Sequence, residues 1–276
     1  MGAATDRQKR LVALTRHLSA HPHENQSVSY LSRVLGVAKS TISEDLAVVR
    51  DAMTTYGLGR VVTQVGPQGG VAFVPTASRE MVQAGLDGWC TALAATDRMT
   101  SEGFLYVTDL LFRPRLIEPM GMLLADRFRD AAIDVVATVE TRGIPLALET
   151  ARHLAIDTVL LRRDNRLSEG SSLSINYLSG SSRRVQSMSL ARRTPIQGKR
   201  VLFVDDFMQA GGTARAASDL LGEFSARVVG VGVLVATSEP SRKLVHDFAS
   251  CLTWHRDRRV VEPSEWIQQW MTDGIR

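Results

Sequence analysis

Leu11, Leu14 and Leu18 in the segment RQKRLVALTRHLSA recur at helical spacing, with Val12 beside them, and predict an amphipathic helix over residues 7–20. HPHENQS interrupts that pattern at Pro22. Ser27 then stands where a helix N-cap is wanted, ahead of VSYLSRVLG, and Gly36 supplies the residue that ends the helix. In VAKSTISEDLAVVRDAMTTYG the inward stripe is Ile42, Leu46 and Val49, while Lys39, Ser40, Thr41 and Ser43 fall at the helix start. After this helix the helical period gives way to strand-like runs. GRVVTQV and GVAFVP read as two strands, joined by the glycine-rich turn GPQGG.

Helix, helix, a short turn at 36–38, helix and hairpin describe a winged helix-turn-helix over residues 1–75. In that architecture the N-terminal part of the last helix enters the major groove of duplex DNA. Lys39, Ser40, Thr41 and Ser43 are the candidate contacts, because an ammonium group and small hydroxyls suit phosphates and base edges. Gln68, in the hairpin turn, joins them. Glu44 and Asp45 carry the wrong sign for DNA and are expected to point elsewhere. The plainer alternative is a small helical subdomain used for dimerisation.

PTASRE at 75–80 reads as a linker into the helical segment EMVQAGLDGWCTALAAT, so residues 76–276 form a second domain. There IDVVATV, IDTVLLRR, RVQSMSLAR, KRVLFVDD and RVVGVGVLVAT read as strands, and IPLALETARHLA and TARAASDLLGEFSA as helices. This alternation predicts an α/β domain with a mostly parallel sheet flanked by helices. Ligands of such sheets bind beyond the carboxyl ends of the strands. The span LSEGSSLSINYLSGSSRR at 167–184 reads as a loop or hairpin.

Composition narrows the class. The chain has 276 residues, 44% hydrophobic and 22% charged, and no apolar run approaches the roughly 18 residues of a membrane span. A cytoplasmic protein with no membrane partner is expected. Cys90 and Cys251 lie far apart, no Cys/His cluster exists, and neither a disulfide nor a protein-held metal is expected. Charge is uneven. Residues 1–75 hold 8 Lys/Arg against 5 Asp/Glu and residues 162–200 hold 9 against 2, whereas the rest holds 16 against 22. The two basic stretches are either electrostatic footprints for nucleic acid or phosphorylated ligands, or solvated faces.

The chemistry concentrates in VLFVDDFMQAGGT at 201–213. The strand VLFV is expected to end just before Asp205 and Asp206, at the sheet edge where a ligand sits. Gln209, Ala210, Gly211, Gly212 and Thr213 make a turn into a helix, whose backbone N–H groups and helix N-terminus form an anion site. Two carboxylates repel a phosphate, but they accept hydrogen bonds from a neutral diol. Diol plus phosphate is a ribose 5-phosphate.

This segment resembles the signature of the type I phosphoribosyltransferases, which bind phosphoribosyl pyrophosphate (PRPP). The resemblance implies that Asp205 and Asp206 hold the ribose hydroxyls and that residues 209–213 hold the 5′-phosphate. VETRGIPLA at 139–147 resembles the pyrophosphate loop of the same family, with Glu140, Thr141, Arg142 and Gly143 facing the diphosphate; Arg162 and Arg163 fall where the family keeps a further pyrophosphate-facing base. Two departures stand out: Gln209 and Ala210 replace a common hydroxyl residue, and Phe207 replaces a small aliphatic one.

Taken whole, the chain resembles the purine operon repressors of the Gram-positive type, a winged helix fused to a phosphoribosyltransferase-fold domain. HPHE, AKSTISEDL, IDVVATVETRGIPLA, the serine-rich stretch around 167–184, DDFMQAGGT and GVGVLV carry the likeness. The resemblance implies a homodimer that binds an operator near purine genes as double-stranded DNA. It implies PRPP as the inducer that lowers DNA affinity, accompanied by Mg2+ where the diphosphate requires it, and a ppGpp-type alarmone as competitor. Phe104 and Tyr106 would then stack on the alarmone base or, more simply, fill the core. Arg183 and Arg184 would add contacts to DNA phosphates from the basic stretch. No catalytic residue is assigned, since the loop departures point to a sensor. The rivals are an active purine phosphoribosyltransferase with a regulatory head, and an RNA-binding regulator.

Overall fold

The computed structural model describes residues 5–64, 66, 69–95, 98, 99, 105–163, 170–178 and 185–273. The chain divides into two compact units, one running to Ser78 with His153–Ala155, the other containing the remainder.

In the first unit α1 (Asp6–Ala20), α2 (Val28–Leu35) and α3 (Lys39–Thr55) precede a hairpin of β1 (Arg60–Gln64) and β2 (Gly70–Val74). The caps are those expected. The Ser27 side chain accepts from the Tyr30 N–H, and Gly36 adopts φ 67 to end α2. Leu14, Leu18, Leu31, Ile42, Leu46, Val49 and Met53 close over Val61, Val71 and Phe73 as one core. Of the α1 stripe Leu14 and Leu18 are buried and Leu11 packs against the same core, while Val12, which stood beside the stripe in sequence, is 70% exposed. Arg50 of α3 fastens the hairpin: its Nε donates to the Val61 carbonyl at 3.1 Å and its terminal nitrogen to Thr63 Oγ1 at 2.6 Å.

Asp45 is buried in this unit. Arg10 Nε lies 2.5 Å from one carboxylate oxygen and Arg7 Nε 3.4 Å from the other, so α1 and α3 are joined by an ion pair as well as by leucines. The acidic side chain thus points into the fold, as its sign required. Glu44, one residue earlier, stays on the exposed face.

The second unit is built on a six-stranded sheet in the order β10-β9-β8-β7-β3-β4. Its strands are β3 (Val135–Val139), β4 (Asp157–Leu161), β7 (Arg200–Met208), β8 (Arg227–Thr237), β9 (Phe248–His255) and β10 (Val260–Pro263). All neighbours are parallel except the β9–β10 edge pair. The helices α4 (Arg79–Leu93), α5 (Thr108–Leu111), α6 (Pro114–Arg127), α7 (Ile144–Leu154), α8 (Gly212–Gly222) and α9 (Glu265–Asp273) complete it. Central parallel strands are covered on both faces, which is why β3, and most of β7 and β8, are buried runs rather than alternating ones. The serine-rich stretch contributes a separate two-stranded ribbon, β5 (Ser172–Leu178) with β6 (Val185–Ala191). Among the described residues no helix is long and apolar enough to cross a membrane.

The connection order creates one reversal. From β3 the chain moves outward to β4, then returns to lay β7 on the other side of β3 and continues to β8 and β9. The carboxyl ends of β3 and β7 therefore flank the topological switch point, where open α/β sheets form their crevice. β3 and β7 pair only from Val135↔Val201 to Ala137↔Phe203, whereas β7 stays paired with β8 as far as Met208↔Ala236. The sheet forks beyond Phe203. The strand runs past VLFV: Asp205 and Asp206 belong to β7, as the reading of KRVLFVDD as a strand had it, and Phe207 and Met208 extend it further, paired with β8.

Candidate functional site

A cleft of ≈ 160 Å³ opens in this fork. Its walls include Arg142 and Arg163 on the β3–β4 side, and Asp205, Asp206 and residues 209–213 on the β7 side. The structure thus brings together the acid pair, the glycine turn and part of the TRG loop, which lie up to 71 positions apart in sequence (142 to 213).

The turn after β7 is shaped for an anion. Gly211 takes φ +86 and caps α8 with no side-chain hydrogen bond, so no side-chain cap takes up the first N–H groups of α8. A Cβ on Gly211 would also press on Val245 at 3.3 Å. The turn is held from behind: Leu244 N–H donates to the Ala210 carbonyl at 2.8 Å, and Thr237 Oγ1 reaches the Gln209 carbonyl at 3.5 Å. Lys243, buried behind it, donates to the Thr237 carbonyl at 2.7 Å, and burial pulls its ammonium pKa below the ordinary range.

The acid pair is strained electrostatically. The Asp206 N–H donates to Asp205 Oδ1 at 2.9 Å. Burial, then the neighbouring Asp206 charge, pushes the Asp205 carboxyl well above the usual carboxylate range. Asp206 is only 4% exposed. Its Oδ2 lies 3.2 Å from Arg142 Nε yet accepts no hydrogen bond among the described residues, so the contact is a charge pair without an aligned N–H. Thr138 Oγ1, at the end of β3, is likewise buried and without a hydrogen-bond partner.

The TRG loop lies directly against this pair. A Cβ built on Gly143 would stand 2.2 Å from Thr138 Oγ1 and 2.9 Å from Asp205 Oδ1, so only glycine lets the loop close on β7. Thr141 and Arg142 are exposed, and the Glu140–Thr141 peptide is cis. Glu140 itself is engaged: Arg162 donates to its carboxylate at 2.8 Å. Arg162 therefore turns toward Glu140, while its neighbour Arg163 lines the cleft. The Arg162 backbone also exchanges both hydrogen bonds with Ser189 of β6, tying the ribbon to the end of β4.

Phe207 also lines the cleft, its ring 6.0 Å from that of Trp254. The sequence offered Phe207 only as a departure from a pattern. That its strand continues past the acids, turning alternate side chains to opposite faces, was the missing signal. Gln186 of β6 is a second lining residue that sequence reasoning did not single out. Tyr106 is 50% exposed with the Arg98 guanidinium 5.8 Å over its ring; it fills no core and stands apart from the cleft lining. Phe104, Gln68, Arg183 and Arg184 lie outside the described residues. The basic stretch is partly neutralised within the second unit, since Arg200 grips Asp134 through both carboxylate oxygens at 2.7 and 2.9 Å.

In the first unit α3 begins at Lys39, and Ala38 provides no side-chain cap. Lys39, Ser40 and Ser43 are exposed and Thr41 half-buried. Ser43 Oγ already donates to the Lys39 carbonyl at 3.0 Å, which leaves it only acceptor capacity.

Comparison with known proteins agrees with this division. The profile for the N-terminal region of the bacterial purine repressor matches residues 6–75, and that for the phosphoribosyl transferase domain matches residues 107–264. The purine biosynthesis transcriptional repressor of Bacillus subtilis is 42% identical over 90% of this chain and 87% of its own length. The purine biosynthesis transcriptional activator of Lactococcus lactis subsp. lactis is 36% identical over 89% of this chain and 91% of its own. Among solved structures, adenine phosphoribosyltransferase from Thermoanaerobacter pseudethanolicus superposes with a TM-score of 0.50 at 23% identity, covering 55% of this chain and 88% of that one. That likeness bears on fold alone, and it bears out the type I phosphoribosyltransferase architecture expected for the second domain.

Proposed function

The chain belongs to the family of bacterial purine repressors, and from that premise we propose that it is a DNA-binding repressor of purine biosynthesis genes whose second unit senses PRPP. The observation that carries the sensing half is the meeting of Asp205, Asp206 and the uncapped 209–213 turn at the β3/β7 switch point. Carboxylates there accept from ribose hydroxyls, the N-terminus of α8 takes the 5′-phosphate, and Arg142 with Arg163 meets the diphosphate. Mg2+ fits as a companion of the ligand: no group of three metal-ligating side chains occurs among the described residues, so its oxygens would come chiefly from phosphates.

The DNA-binding half rests on α3. Its exposed start presents Lys39, the Ser40 and Thr41 hydroxyls and free backbone N–H groups to a groove, and Arg50 holds the hairpin at a fixed place beside it. PRPP lowers DNA affinity only by binding the DNA-free form better, since linkage allows no other route. A homodimer offers two such helices to an operator. A ppGpp-type alarmone, with its own phosphates, competes for the same cleft, where Phe207 in the lining would meet its base.

No turnover is expected. Relatives aligned over about nine-tenths of this chain are named as regulators, and Gln209 and Ala210 stand where active enzymes commonly carry a hydroxyl. The relative named as a repressor is also more similar than the one named as an activator, at 42% against 36%.

Gel-shift titration on duplexes from upstream of purine biosynthesis genes, with and without PRPP, tests the reading. Specific retention that PRPP weakens supports it. Retention indifferent to PRPP defeats the sensing half, and product formation from PRPP and a purine base defeats the assignment as a sensor without turnover.

A further inference from the structure

Two side chains from opposite rims of the cleft meet across it. Arg142 Nε lies 3.2 Å from Asp206 Oδ2; the arginine side chain is 48% exposed and the aspartate side chain 6%. That oxygen accepts no hydrogen bond among the described residues, so the guanidinium neutralises it without satisfying it. The pair is held in charge but open in hydrogen bonding. Its arginine partner is half-exposed, with solvent on its free side, and its aspartate partner is buried.

Any ligand whose sugar hydroxyls use Asp206 has to take the place of that guanidinium. A displaced Arg142 needs a new anion, because leaving both charges unpaired in a partly desolvated site is unfavourable. A sugar carrying a 5′-phosphate and a diol supplies hydroxyls to Asp206 and nothing to Arg142. A sugar carrying in addition a diphosphate on the side of the 140–143 loop supplies both, and Arg163 lines that same wall. Gly143 keeps the loop pressed on Asp205, so Arg142 changes partner by swinging its side chain while the backbone stays.

The geometry points to the Arg142–Asp206 pair as a selectivity latch, released only by a ligand that brings an anion to Arg142 as it brings hydroxyls to Asp206. Arg142 is then a specificity residue that works by exchanging partners, and the latch rests on the reading of the cleft as a site for a phosphorylated sugar diphosphate. It acts against sugar monophosphates, which abound wherever ribose is phosphorylated.

Calorimetric titration of the full chain with PRPP and with ribose 5-phosphate, for the wild type, Arg142→Met and Arg142→Lys, tests the latch. Arg142→Met is expected to weaken PRPP by about 30-fold, the loss of a charge-assisted contact, and to tighten ribose 5-phosphate by about threefold or more. Arg142→Lys restores most of the preference. A simple anchor weakens PRPP and leaves ribose 5-phosphate unchanged, and that result overturns the latch, as does equal weakening of both. If Arg142→Met loses its cooperative melt, Arg142→Gln, which also removes the charge, carries the comparison: a narrowed ratio with tighter ribose 5-phosphate supports the latch, and an unchanged ribose 5-phosphate affinity overturns it. A wild type that binds neither compound overturns the reading of the cleft and the latch with it; a wild type that binds PRPP keeps the two failures apart.

Discussion

Asp45 and Asp206 are both nearly sealed from solvent, at 1% and 4% exposure, and each has arginine beside it. Their surroundings differ in kind. Asp45 has a nitrogen on each oxygen, from Arg10 and Arg7, and so has no oxygen without a hydrogen bond. Asp206 has a single arginine at 3.2 Å and one oxygen without a hydrogen bond. A buried carboxylate with its partners in place is part of the frame; one left short of them is poised for something that arrives later. The same residue type therefore serves structure in the first unit and recognition in the second, and the count of hydrogen bonds separates the two roles where burial does not.

The largest expected effect cuts this comparison cleanly. Replacing Asp205 and Asp206 together by Ala should abolish PRPP binding, a loss of more than about 100-fold, while the gel shift on operator DNA persists and no longer responds to PRPP. Loss of DNA binding in a folded double variant would erase the distinction. Next, Asp45→Ala should lower the melting temperature of the first unit, because it removes the carboxylate that Arg10 and Arg7 of α1 share with α3 and leaves a cavity in its place. Thermal unfolding followed by circular dichroism reads this, and an unaltered melt would show that the ion pair is not structural.

A smaller effect concerns Asp205. Its folded pKa is raised above the ordinary value of 3.8, so its contribution to stability is complete below that value and is lost as pH rises through the folded pKa. Asp205→Asn should accordingly melt higher than the wild type at neutral pH, and the advantage should vanish near pH 4. Equal melting of the two at every pH would place the carboxyl in ordinary surroundings. The smallest effects lie on α3. Lys39→Ala should reduce the dependence of log DNA affinity on log salt by about two units, one for each subunit of the homodimer, whereas Ser43→Ala, whose hydroxyl already serves the helix, should change affinity by about threefold or less. Salt titrations of both variants on one operator fragment make the contrast.

Much of this was legible beforehand, for local reasons. Ser27 and Gly36 marked helix ends because capping is decided by a few adjacent residues. The acid pair and glycine turn announced their chemistry because strand, carboxylates and helix start are contiguous. What escaped depends on distance. Nothing in a linear reading pairs Arg142 with Asp206, or sets Lys243 behind the 209–213 turn. The antiparallel edge strand β10 and its partner β9 come from a segment, CLTWHRDRRVVEP, in which the turn residues carry charge rather than glycine, so its hairpin character was muted. The place of Phe207 on β7 was not legible because the strand outlives its second neighbour: a chain paired on one side continues as a strand with no local sign of it.

That fork between β3 and β7 has a mechanical side. Past Phe203 no β3–β7 pairing joins the β4–β3 half of the sheet to the β7–β10 half among the described residues, and the close seat of Gly143 on Asp205 spans them together with the Arg142–Asp206 pair. A ligand held by Arg142 and Arg163 at one bank and by the α8 terminus at the other would act as a rung where the sheet has none. The two halves would then hinge less, and the second unit would resist heat more, as the cleft fills: about 2.7 kcal/mol at a hundredfold excess over Kd.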